Sequence, residues 1–139
     1  MPARRGATAR VVFDDLAFND DLGRTTDNGR KVALDTRNAY ERNGCPIDAL
    51  LACQEQATDG TDLLGCAKVY LPAPVGKFGM VFTIKRQEGK LVLVYLGFGV
   101  RHHPKSSHAL TVYKIAHRRL HEITARDLRG KGPDTPVAR

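Results

Sequence analysis

The chain has 139 residues, which suits one domain with a modest hydrophobic core. Hydrophobic residues make up 42% of it, a folded composition rather than a disordered one. The longest apolar run, residues 91–100, is about half of the roughly 20 residues a membrane-spanning helix needs. No apolar run follows Arg4 and Arg5, so the chain is read as lacking a secretory signal and as cytoplasmic.

Net charge is +7, unevenly spread. Residues 1–62 hold eleven acids against eight Lys and Arg, whereas residues 63–139 hold four against fourteen. All five histidines lie between His102 and His121. A polyanion is the natural partner for such a basic half. The cysteines Cys45, Cys53 and Cys66 are odd in number and have no CxxC spacing, so three reduced thiols are expected rather than a disulfide framework. Their spacing gives no zinc signature.

In chain order, residues 1–9 are read as disordered, residues 10–124 as the domain and residues 125–139 as a flexible basic tail. Residues 9–13 read as a short strand, and Asp14 and Asp15 as a helix cap. Residues 24–42 read as a helix stopped by Asn43 and Gly44, with a further helix over residues 47–56 behind Pro46. Residues 66–71 and 78–85 then read as strands. A hairpin turn at residues 87–90 leads into the most apolar strand, residues 91–98, expected to be central. Residues 101–107 form a polar loop. A helix over residues 108–123 follows, with Ala109, Val112, Ala116, Leu120 and Ile123 on one face. These elements predict an α+β fold: a small antiparallel sheet, made of the N-terminal strand and a C-terminal three-stranded meander, packed against helices on one side.

The loop after the central strand carries Arg101, His102, His103, Lys105 and His108. Histidines move protons near neutral pH, and an arginine fork binds phosphate oxygens, so this set suits phosphodiester chemistry. A solvated polar loop is the plainer alternative. His117 and His121 lie one helical turn apart and read as a solvated face rather than a metal pair.

The stretch Val94-Tyr95-Leu96-Gly97-Phe98-Gly99-Val100-Arg101, followed by Leu110-Thr111-Val112-Tyr113-Lys114, resembles the end of the RelE/ParE superfamily of toxins from bacterial toxin–antitoxin pairs. In that superfamily a strand leads through a loop with a Gly and a basic residue into a helix that opens with a Tyr. Residues 66–71 and 77–85 resemble its second and third strands. The resemblance implies a RelE-like fold and an endoribonuclease that cleaves RNA, in many members on the ribosome, by 2′-hydroxyl attack. That chemistry needs no metal and no cofactor. Arg101, His102, His103, His108 and Tyr113 would then be catalytic. Lys68, Lys77, Arg86, Lys105, Lys114 and Arg118 would hold RNA phosphates. The resemblance also implies a cognate antitoxin as partner. Gly79 stands where many members carry an Arg, and the helix after Pro46 is an insertion. Two other readings use the same scaffold: a ParE-like inhibitor of DNA gyrase without nuclease chemistry, and a non-catalytic nucleic-acid-binding protein.

Overall fold

A computed structural model describes residues 7–53, 63, 65–71, 78–101 and 111–130, the last seven by backbone alone. The chain begins with β1 (Thr8–Val12), followed by α1 (Asp15–Arg24) and α2 (Asp27–Asn43). Asp14 caps α1, its side chain accepting from the Leu16 and Ala17 N–H groups at 3.0 and 3.3 Å. Thr26 caps α2 by accepting from Gly29 N–H at 3.1 Å. The expected single helix start at residue 24 is therefore a break between two helices, because Thr25 and Thr26 are extended and supply a new cap. Gly44 ends α2, as Asn43-Gly44 predicts, with its N–H donating to the Tyr40 carbonyl at 2.8 Å. The apolar pattern of α2 is poor, and it is held partly by Arg37, whose guanidinium lies 4.9 Å from the ring centres of both Phe13 and Phe18.

The helix predicted over residues 47–56 is not formed over its described part. β2 (Cys45–Pro46) pairs antiparallel with β1, a 3-10 turn covers Ile47–Ala49, and β3 (Leu51–Ala52) pairs antiparallel with β4 (Cys66–Leu71). Residues 54–56 lie outside the described residues. Short helices are marginal unless their apolar face is packed. Here open sheet edges capture the backbone instead: Ile47 N–H donates to Ala7 and Cys53 N–H to Cys66.

β5 (Phe78–Gln87) and β6 (Lys90–Val100) form the expected hairpin. Its two-residue turn places Glu88 and Gly89 at φ of 53° and 78°, the mirror-image turn that matches strand twist. The strand order is β2-β1-β6-β5-β4-β3, so β6 is internal, as its apolar run predicts. The sheet is mixed rather than antiparallel, because β1 runs parallel to β6, with Arg10 opposite Val92 and Val12 opposite Val94.

Helices cover both faces rather than one. On the first face, Phe18 and Ala33 from α1 and α2 pack with Met80, Phe82, Leu93 and Phe98. On the second, Val112 and Ala116 of α3 (Val112–Gly130) pack with Val81 and Leu96. The strands have apolar residues at both parities, which is why each face needs cover. α3 runs seven residues past its expected end at Ile123, since no Gly or Pro interrupts residues 124–129. Asp21 ties the helices to the sheet. It is 1% exposed and accepts from the Tyr95 hydroxyl at 2.5 Å, the Phe98 N–H at 3.1 Å and Arg119 at 2.7 and 2.8 Å.

Candidate nucleic-acid interface

Strand parity builds the site. In β4, Cys66, Lys68 and Tyr70 share a face, opposite Thr83, Val81 and Gly79 in β5. The same face continues through Gly97 and Gly99 of β6, and Arg101 follows two residues later. α3 crosses this face closely because Gly97 has no side chain: an added Cβ would lie 3.3 Å from Ile115 Cγ2 and 3.6 Å from the Ala116 backbone. That crossing brings Tyr113, in the first turn of α3, beside Lys68.

The result is an interleaved set of two cations and two phenols. Lys68 Nζ lies 5.0 Å from the Tyr113 ring centre and 5.4 Å from that of Tyr70. The Arg101 guanidinium carbon lies 4.0 Å over the Tyr70 ring. All three distances are within cation–π range. Gly79 leaves room for this pose, since a Cβ there would come within 3.1 Å of Arg101 Cγ. Arg101 Nε is buried and has no hydrogen-bond partner among the described residues. No carboxylate there lies within ion-pair distance of Lys68 or Arg101.

Burial raises the Tyr113 pKa; Lys68 and Arg101 oppose the rise, while Tyr70 and Cys53 add to it. Tyr113 is therefore a neutral phenol at physiological pH, an O–H donor. Burial also pushes the Cys53 thiol up to about 11, against the pull of Lys68.

Of the residues singled out in the sequence, Lys68, Arg101 and Tyr113 come together. Arg86 does not: it shares the β5 parity of Met80, Phe82 and Ile84, on the face opposite Val81, and sits five residues along from the Val81–Lys68 pair. Lys114 is half-buried next to Tyr113, with its N–H donating to Thr111 Oγ1 at 3.4 Å. Arg118 is exposed one turn further along. Lys77, His102, His103, Lys105 and His108 lie outside the described residues. The sequence reading missed Tyr70, although an aromatic two positions from Lys68 in a strand must share its face. It is 46% exposed and forms the open wall of the cluster. His117 and His121 have ring centres 4.4 Å apart on α3, and no group of three or more potential metal ligands occurs among the described residues. Among the described residues no helix is long and apolar enough to cross a membrane.

Chemically, two cations with no carboxylate partner among the described residues offer phosphate contacts, and an exposed ring offers a stacking surface for a base. Comparison with protein-family models, with curated proteins and with solved structures gave no match.

Proposed function

We propose that the protein is a toxin-like endoribonuclease that binds RNA on the Lys68–Tyr70–Arg101–Tyr113 face. The convergence of Lys68, Arg101 and Tyr113, distant in sequence, with a buried Arg101 Nε that lacks a partner among the described residues, is the observation that carries this reading. The order of strand, helices, three-stranded meander and helix also supports it. In the proposed reaction a ribose 2′-oxygen attacks the adjacent phosphorus. Lys68 faces the phosphate either in its neutral form, taking the 2′-hydroxyl proton, or as a cation, in which case that proton passes to water; Arg101 stabilises the charge that grows on the nonbridging oxygens, and the neutral Tyr113 hydroxyl protonates the departing 5′-oxygen. The RNA chain is left with a cyclic phosphate and a free 5′-hydroxyl. An antitoxin presenting an acidic segment would neutralise the same face.

A second reading, non-catalytic binding of nucleic acid, is favoured by the raised pKa of Tyr113 and Cys53, since neither thiol nor phenol is tuned toward neutrality. A gyrase-directed toxin is a third proposal on the same scaffold. Inducible expression in a bacterium separates them. Growth arrest with RNA cleavage, lost in Arg101→Ala and Tyr113→Phe, supports the nuclease. Arrest with intact RNA turns the argument to gyrase. Salt-sensitive RNA binding by the purified protein without arrest leaves the binding role.

A further inference from the structure

We propose that Cys53 and Cys66 are a dithiol pair that peroxide converts into an intramolecular disulfide, a clasp between the edge strand β3 and β4. The register carries this. Leu51 pairs with Lys68 and Ala52 with Ala67, and the Cys53 N–H donates to the Cys66 carbonyl at 3.2 Å, which continues the antiparallel pairing by one residue. Cys53 thus stands opposite Cys66, and both pack into the core under α3. Directly opposed antiparallel residues have Cα atoms about 4.5–5.5 Å apart. A disulfide spans about 4.4–6.8 Å between Cα atoms, so the pair closes without moving the strands far. No disulfide links the cysteines in this structure.

Accessibility sets the order of events. Cys53 is half-buried, whereas Cys66 is 4% exposed. Burial holds the Cys53 thiol up against the pull of Lys68, so the reaction runs through a small thiolate fraction and quickens toward alkaline pH. The Cys53 thiolate attacks one peroxide oxygen; the S–O bond forms, the O–O bond breaks, and the first water leaves. The Cys66 sulfur then attacks the Cys53 sulfenic sulfur. The S–S bond forms, the S–O bond breaks, and the second water leaves with the remaining proton. Two thiols lose two electrons and two protons, and one peroxide is reduced to two waters. Cys45, buried at the opposite sheet edge beside Tyr40, has no such cross-strand cysteine.

β3 is two residues long at a sheet edge, where pairing frays most easily. The clasp fixes that edge two residue pairs from Lys68. It stands whether or not the cluster binds RNA. The test is to treat the reduced, full-length protein with hydrogen peroxide, alkylate the remaining thiols, and measure intact mass, peptide map and Tm. The expected result is loss of two hydrogens and a Cys53–Cys66 cross-linked peptide, with alkylation at Cys45 alone. Tm should rise by several degrees, because the link closes a loop of roughly a dozen residues. Cys45→Ser keeps the cross-link and Cys53→Ser abolishes it; Cys53→Ser, half-exposed, serves as the control if Cys66→Ser does not fold. Oxygen addition at Cys53 without a cross-link, a covalent dimer, a link to Cys45, or no reaction would overturn the proposal.

Discussion

Two arginines near β6 sit in opposite electrostatic circumstances. Arg119, from α3, makes two bonds to Asp21 and donates to the carbonyls of Leu96 at 2.9 Å and Ala17 at 3.3 Å. Asp21 in turn is satisfied by Tyr95 and Phe98. Arg101, just past β6, rests on Tyr70 and keeps a buried Nε without a partner among the described residues. Buried polar groups are nearly always paired. A cation whose two terminal nitrogens are both engaged braces the fold, and one with donor capacity left over among aromatic rings is available to an anion. Arg119 anchors α3 to the sheet, and the same helix carries Tyr113, which lies within electrostatic reach of Arg101.

The largest effect that tests this contrast is on stability. Asp21→Ala leaves Arg119 without its carboxylate and also releases Tyr95 and Phe98. Breaking such a pair costs about 3–5 kcal/mol. Domain stability is about 5–15 kcal/mol, so urea unfolding of this variant should begin at markedly lower denaturant. Replacing both partners with apolar residues, Asp21→Leu with Arg119→Met, should recover much of the loss. A cost below about 1 kcal/mol for Asp21→Ala would remove the distinction between the two arginines.

Arg101→Ala and Lys68→Ala should do the reverse. Each should weaken binding of labelled single-stranded RNA and reduce the slope of log affinity against log salt by about 1, as loss of one phosphate contact does. Their urea midpoints should stay near that of the parent protein, because neither cation braces the fold through an ion pair among the described residues. Unchanged affinity and slope in both variants would separate the cluster from nucleic acid altogether.

The fold was legible where side-chain periodicity is long. β4, β5, β6 and the hairpin between Gln87 and Lys90 follow from alternation and turn chemistry, and α3 from apolar steps of three and four. β2 and β3 were not legible, since two residues carry no period and only the capture of a free edge makes them strands. The parallel pairing of β1 with β6 is likewise a tertiary choice. In the site, Lys68 and Tyr113 came from motif resemblance and Arg101 already from the chemistry of its polar loop, whereas simple parity would have added Tyr70 and excluded Arg86.

Gly79 offers a subtler test. The resemblance leads one to expect an arginine there, and the structure gives its absence a local consequence: Arg101 occupies the space. Gly79→Ala should push the guanidinium off Tyr70 and lower RNA affinity, though by less than Arg101→Ala. Alanine suits a strand interior better than glycine by about 0.5–1 kcal/mol, so stability should hold or rise slightly. Falling stability with unchanged affinity would mean that Arg101 is placed by something other than this gap.

The smallest effect is a difference in alkaline stability. Burial raises the Cys53 pKa from 9.0 to about 11. A raised folded-state pKa contributes stability that is fully present below the unfolded value and is lost as pH rises through the folded one. Stability should therefore fall between about pH 9 and pH 11, as unfolded chains release the thiol proton first. Tyr95 and Tyr113 shift in the same direction from 10.0, so their losses start at higher pH. Cys45 is raised too, and subtracting a Cys53→Ser profile from that of the parent protein isolates the Cys53 part. Urea midpoints under reducing conditions at pH 8, 9.5 and 10.5, chosen to bracket the window set by this linkage, should draw together for the two proteins as pH rises. Parallel profiles would mean that Cys53 meets water freely, and that the wall of the cationic cluster beside it is more open than the burial of Tyr113 implies.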